Sequence, residues 1–254
     1  MKKPLAVLTL LSSILILTAC GSKADNKSVK ISESELLKKN TKSWHQQTKG
    51  AQLVHFSVTH GDFVGSVHSL KDIENMHSDS SVIKGKLLNL HEVKYKQTKD
   101  FSSITPYTRM EIKVDNIIGG NKKPAHKVID VLFPNGLTAS NDLYKRINPH
   151  LKQGKKILVQ DDNAPLPKIG SEVIMSIQKS DWAFACTYLD AIQNGFHEDR
   201  FYQPVMETLH FWVKSPGAKE FIANNTVIKN KEPHAEKIAP ETQLTADLNA
   251  KYNQ

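Results

Sequence analysis

The sequence predicts a mainly β fold: a closed or nearly closed antiparallel barrel with a few short helices, behind an export signal and ahead of a polar tail. Three observations carry that expectation. Stretches alternating between apolar and polar residues recur from Val54 to Val213. Glycine turn signals separate them, at Gly61-Asp62, Gly119-Gly120 and Asn194-Gly195. Helical periodicity is confined to short segments, so the strands must pair with one another, and closure hides their edges.

Lys2 and Lys3 precede an apolar run over residues 5–17, and Leu17-Thr18-Ala19-Cys20 follows at once. A basic start, a short apolar stretch and small residues before a cut mark a secretory signal; the run is too short to remain a spanning helix. Leu17-Thr18-Ala19-Cys20 resembles the lipobox of bacterial lipoproteins. By that resemblance residues 1–19 are a lipoprotein signal peptide. Cys20 then becomes the first mature residue, carrying diacylglycerol with acyl chains such as palmitate. A thiolate is the nucleophile that can accept a lipid, and two acyl chains anchor stably where one is marginal. The expected location is the extracytoplasmic face of the cell membrane, with Cys20 as the lipidation site.

Residues 20–50 are rich in Ser, Lys, Asn, Thr and Gln and read as a flexible, lipid-anchored tether, with a short helix at 32–39. Residues 51–214 hold the barrel. Val54, Phe56 and Val58 alternate with His55, Ser57 and Thr59. Gly61-Asp62 then makes a hairpin that sets Phe56 against Val67 and His55 against His68. Ser69 caps a short helix carrying Leu70, Ile73 and Met76 on one side. Residues 82–95 form a long strand whose apolar parity slips, which signals a bulge. Thr108, Met110, Ile112 and Val114 face one way, Arg109, Glu111, Lys113 and Asp115 the other, and Gly119-Gly120 ends that strand.

Further strands are expected at 127–133, 155–160 and 172–178, with a short helix at 141–147 that stops before Pro149. Asn194-Gly195 joins 188–192 to 200–205 as a second hairpin, and 209–213 is a last strand. Residues 215–254 are a polar C-terminal tail, loose apart from a short helix at 218–223.

Several of these pieces share a resemblance. Ser69-Leu70-Lys71-Asp72-Ile73 followed by Ser81-Val82-Ile83-Lys84-Gly85-Lys86-Leu87, the strand at 108–120, Pro165-Leu166-Pro167-Lys168-Ile169-Gly170 running into Val173-Ile174-Met175, and Asn194-Gly195-Phe196 together resemble netrin-module-like barrels of exported bacterial proteins. The likeness covers about residues 69–205. It implies an OB-type barrel, shared with the tissue inhibitors of metalloproteinases. Those inhibitors chelate zinc through a free, disulfide-held N-terminal cysteine. Here that cysteine is the lipid site and has no disulfide partner, so inhibition is not implied.

A net charge of +8, lowered by two when Lys2 and Lys3 leave with the signal, draws the chain toward anionic headgroups or envelope polymers. The basic residues do not interleave with aromatics, so nucleic acid is not an expected partner. Two cysteines exclude a disulfide-stapled miniprotein, and Cys186 reads as a small buried strand residue.

His55 and His68, as cross-strand neighbours, provide two imidazoles for a metal but no evident third ligand. Asp190 opposite Asp199, with Glu198 nearby, gives the carboxylate pair of a glycosidase without a cleft. Ser81-x-x-Lys84 and Ser176-x-x-Lys179 match a penicillin-binding motif, but lie in strands, where i and i+3 point apart. Leu166-Pro167-Lys168-Ile169-Gly170 departs from a sortase signal at Ile169. Trp44, Trp182, Phe211 and Trp212 read as core before ligand platform.

The reading is therefore a non-enzymatic binding or adaptor module, with no catalytic residue, cofactor or metal. Its partners are the membrane, through Cys20, and an envelope polymer, peptide or protein. A metal-handling lipoprotein using His55 and His68, or an envelope hydrolase, are the alternatives.

Overall fold

The computed structural model describes residues 31–56, 69–76, 80–94, 106–120, 124, 126–139, 154–180, 192–206, 208–225 and 239–253. Three strands make an antiparallel meander, β2 (Ser80–Glu92), β3 (Tyr107–Gly120) and β4 (Val128–Pro134). β7 (Glu172–Lys179) pairs antiparallel with β2 and with the four-residue β8 (Phe201–Pro204), which in turn runs parallel to β4. The ring β2-β3-β4-β8-β7 thus returns to β2. Five strands joined in the order first, second, third, fifth, fourth form a closed OB-like barrel, as the sequence predicts.

Two additions surround the ring. Beyond β8, the edge of β7 is taken over by β9 (Phe211–Lys214), which carries β10 (Ile222–Ala223). A separate sheet holds β1 (Gln52–Phe56), β5 (Gly136–Ala139) and β6 (Lys156–Asp161) in the order β1-β6-β5.

The chain crosses between sheets at Pro134-Asn135-Gly136. Asn135 is fully buried at φ 94°, a left-handed conformation that asparagine tolerates. Its side chain accepts from Asp161 N (2.9 Å) and donates to Ala164 O (2.7 Å), while Thr108 Oγ1 donates to its carbonyl (2.9 Å). A Cβ on Gly136 would lie 2.6 Å from Tyr107 O, so only glycine lets the crossing pass so close to β3.

The inward faces pack Ile83, Leu87, Met110, Ile112, Phe133 and Met175 into the barrel core. Thr108, Met110 and Ile112 are buried and Arg109, Glu111 and Lys113 face outward, as the alternation requires. The parity slip in β2 is real: its register against β3 shifts at Val82/Ile83, Lys84/Gly85 and Leu87/Asn89. Ser69 caps α2 (Leu70–Glu74), its side chain accepting from Asp72 N. α2 lies so close to β3 that a Cβ on Gly119 would overlap the Ile73 carbonyl.

Four expectations are corrected. Residues 33–48, expected within the flexible tether, form the 16-residue α1 (Glu33–Thr48), opened by a Ser32–Glu35 capping box. Leu37 and Trp44 pack on the barrel core, and Asn40 Nδ2 donates to Leu88 O (2.9 Å). Second, the tail ends in an ordered helix: α3 (Ala239–Tyr252) covers the outer face of the sheet, where Leu244 and Leu248 meet Val82, Ile174 and Trp212. Asn249 exchanges two hydrogen bonds with the backbone of Phe221 (2.8 Å each), and Trp212 Nε1 donates to Thr245 Oγ1 (2.9 Å).

Third, 218–223 is a turn leading into β10, not a helix. Fourth, Asn194-Gly195 ends a helical turn instead of a hairpin: Gly195, at φ 78°, donates to Ile192 O (2.9 Å). β8 has β4 on one edge and β7 on the other, which leaves no edge for a hairpin partner. The strand expected at 155–160 exists as β6, but in the second sheet and not in the barrel. The helix expected at 141–147 and the turn at Gly61-Asp62 lie outside the described residues.

Leu248 is fully buried on α3. Leu248→Ala should therefore destabilise the chain by about 2–5 kcal/mol, read as a lower urea midpoint; a detached tail would leave the midpoint unchanged.

Candidate functional site

Because Met110 and Ile112 point into the barrel, Arg109, Glu111 and Lys113 must line its outer side. Arg109 Nη1 donates to Asp130 Oδ1 on β4 (3.0 Å) and to Gly195 O (3.0 Å), and its guanidinium lies over the Phe196 ring at 5.7 Å. Arg200, at the start of β8, brings Nε within 3.0 Å of Asp130 Oδ2. The Asp130 side chain has no solvent exposure. Burial raises the pKa of this carboxyl, against the pull of Arg109 and Arg200.

Beside this cluster His91 Nε2 lies 3.4 Å from Glu111 Oε2, and that hydrogen bond holds the Glu111 carboxyl below its ordinary range. Above it, Asn194 clips two loops together: Lys94 N donates to Asn194 Oδ1 and Asn194 Nδ2 donates to Lys94 O, both at 2.7 Å. Lys86 and Lys113 converge on Glu33 of α1 at 2.9 and 2.7 Å and hold its carboxyl at about 2.

A cleft of about 580 Å³ opens at the far end of β3. One wall is β3 from Val114 to Gly120, the other is Pro124, His126 and Lys127, and Glu74 of α2 closes an end. His126 Nε2 lies 2.6 Å from Asp199 Oδ2 on the rim. Lys251 Nζ and Tyr252 Oη both donate to Glu74 Oε1 at 2.6 Å, and these bonds lower the Glu74 carboxyl.

Both side-chain pairs singled out in the sequence, His55 with His68 and Asp190 with Asp199, have one member outside the described residues. Cys20, His68, Trp182, Cys186 and Asp190 lie outside the described residues. His55 is on β1, which pairs parallel with β6, and its Nδ1 contacts Asp162 Oδ1 at 2.6 Å. Among the described residues no three His, Cys, Asp or Glu side chains converge as a metal site. Glu198 and Asp199 sit in a 3-10 turn before β8, with Lys179 Nζ donating to both their carbonyls. Ser81 and Lys84 lie on β2, Ser176 and Lys179 on β7, as strands and not on a helical face. Residues 166–170 form the approach to β7. Phe211 and Trp212 are core, and Trp44 packs against it.

Two features were not anticipated. The Asp130 cluster is one: a single carboxylate in Val128-Ile129-Asp130-Val131-Leu132-Phe133 is a signal for a buried cation partner. The other is His210, only 5% exposed, with neither ring nitrogen hydrogen-bonded. Its carbonyl accepts from Ser176 N (3.1 Å), and Ser176 Oγ is also buried without a partner.

No family model matches the chain, and neither the curated proteins nor the solved structures searched contain a match.

Asp130→Asn would leave two guanidiniums beside an uncharged amide. The expected cost is about 3 kcal/mol, measured by chemical denaturation; a loss below about 1 kcal/mol would mean that the cluster acts as a surface pair.

Burial pulls the His210 imidazole from its ordinary 6.5 down to about 4. The unfolded chain then binds a proton that the folded chain refuses, so stability falls as pH drops through 6.5 and levels off near 4. The total is about 3 kcal/mol. Denaturation midpoints from about pH 7 to about pH 4 should fall less in His210→Leu than in the parent by that amount.

Proposed function

We propose that this chain is a bacterial lipoprotein, acylated on Cys20 and held on the extracytoplasmic face of the cell membrane, whose barrel is a non-enzymatic binding module for an envelope partner. The observation that carries this reading is Leu17-Thr18-Ala19-Cys20 directly behind a basic and apolar signal.

The fold supports it in two ways. A closed barrel suits a chain displayed outside a membrane, because the ring of five strands hides its strand edges from neighbours. The cleft at the end of β3 and the outward side chains Glu111 and Lys113 of β3 are surfaces on which a partner can settle. The partner is an anionic envelope polymer, a peptide or a protein, consistent with the basic net charge.

The tether is shorter than composition implies. Ser32 caps α1 twelve residues after Cys20. Fully extended, such a stretch reaches at most about 40 Å, which bounds how far the start of α1 can stand from the lipid surface.

Expression of the Cys20→Ser chain tests the anchor. The parent should partition with membranes and carry the mass of diacylglycerol on a polypeptide beginning at Cys20. The variant should appear in the medium or remain uncleaved; membrane retention with normal cleavage would refute the lipid anchor.

A further inference from the structure

The two sides of α1 are unlike. Leu37, Asn40 and Trp44 form the side that lies on the barrel. Lys38, Lys42, His45 and Lys49 follow one another at spacings of four, three and four. That spacing stacks them on one helical face about 16 Å long, opposite the docked one. All four are exposed, and so is Lys39 beside them.

Both carboxylates of the helix are engaged elsewhere. Glu33 is held by Lys86 and Lys113 at 2.9 and 2.7 Å, and Glu35 bends back to the Ser32 amide and hydroxyl at 3.0 and 2.9 Å. Lys86, Lys113, Lys214 and Lys251 each meet a carboxylate. Among the described residues Lys38, Lys39, Lys42 and Lys49 meet none. The outer face of α1 is therefore left positive.

Two further observations say what covers that face. α1 is the first described helix after Cys20, with only twelve residues between Cys20 and the Ser32 cap. Ile31, immediately before the cap, is 58% exposed. A polar polymer offers such an apolar side chain nothing, whereas the boundary between lipid headgroups and acyl chains takes it in.

We propose that the outer face of α1 lies on the anionic headgroups of the membrane, with its lysines against lipid phosphates and Ile31 at the acyl boundary, so that the barrel is held in one orientation instead of swinging on its tether. The proposal rests on the membrane location given above and specifies how the folded part meets that membrane. Each lysine near an anionic surface raises the partition onto it by about fivefold. A tether of at most about 40 Å makes the encounter intramolecular, which favours it further.

The probe is lysine acylation by a water-soluble succinimidyl ester, read residue by residue by mass spectrometry. It is applied to the full chain in vesicles of phosphatidylcholine alone and of phosphatidylcholine with an equal part of phosphatidylglycerol. Lys38, Lys39, Lys42 and Lys49 should react at least about fivefold more slowly on the anionic vesicles. Lys71 and Lys219, exposed where the chain packs against α3, should keep their rates. In about 1 M salt, where the screening length falls to about 3 Å, the difference should vanish. Lys38→Glu together with Lys42→Glu should return Lys39 and Lys49 to their rates on phosphatidylcholine.

Equal rates on the two vesicles, equal slowing of Lys71 and Lys219, or slowing that survives the double substitution would each overturn the docking face. So would slowing by soluble polyglycerol phosphate but not by vesicles, which would give the face to an envelope polymer. The same spectra read Cys20. Acylated Cys20 with unprotected lysines removes the docking face and leaves the anchor; bare Cys20 with protected lysines removes the anchor and leaves the face.

Discussion

The barrel closes on four residues. β8 alone joins β4 to β7, and it meets β4 at only two registered positions, Asp130 with Phe201 and Val131 with Tyr202. So short a seam supplies few ladder hydrogen bonds, and the parallel pairing on the β4 side is the weaker kind. Asp130 compensates for this by charge. It takes Arg200 from the turn that enters the seam strand and Arg109 from β3, so one carboxylate on β4 ties two barrel strands and the entry to a third. Arg109 also reaches Gly195 O and the face of Phe196, which fixes the chain that delivers β8. Closure and the outer polar face are therefore one construction, and a change at Asp130 acts on both.

A second consequence concerns β7. It is shared between the ring and the β9–β10 extension, and each of its faces packs on a different core. Val173 and Met175 point into the barrel, while Ile174 joins Trp212 and Val82 beneath α3. A strand buried on both sides reads as a continuous apolar run, as Val173-Ile174-Met175 does. The C-terminal helix is the cover of a second core, and its ties to Glu74, Phe221 and Trp212 come from three separate elements. His210 lies on the path from β8 to β9, where the chain changes partner strand along β7. Its unbonded nitrogens there are a local cost of that switch.

The strands were legible because period-two alternation needs only local information, and β3 shows it without ambiguity. The pairing of those strands was not. Asn194-Gly195 serves equally well as a hairpin turn or as the end of a helical turn, because both need a residue at positive φ. The outcome is decided by which edges of β8 are already occupied, a long-range fact. α1 was obscured for a different reason. Its docking stripe is Leu37, Asn40 and Trp44, in which a polar residue occupies the centre and bonds the Leu88 carbonyl. Composition reads such a segment as polar chain. α3 hides in the same way, with Leu244 and Leu248 the apolar positions of a stripe otherwise polar. Among the site residues, Asp130 was readable in principle, since a charge inside an apolar strand requires a partner. The cleft was not, because it arises from where pairing stops and leaves no composition signature.

That stopping point shows how much one strand can be asked to do. The first half of β3 is paired on both edges, and there its inward side chains build the core while its outward ones build the charged face. Past Val114 a different neighbour joins the same strand: α2 settles on it at Gly119, where the missing side chain admits the Ile73 carbonyl. This end of β3 is thus held by β2 along one edge and by α2 on a face.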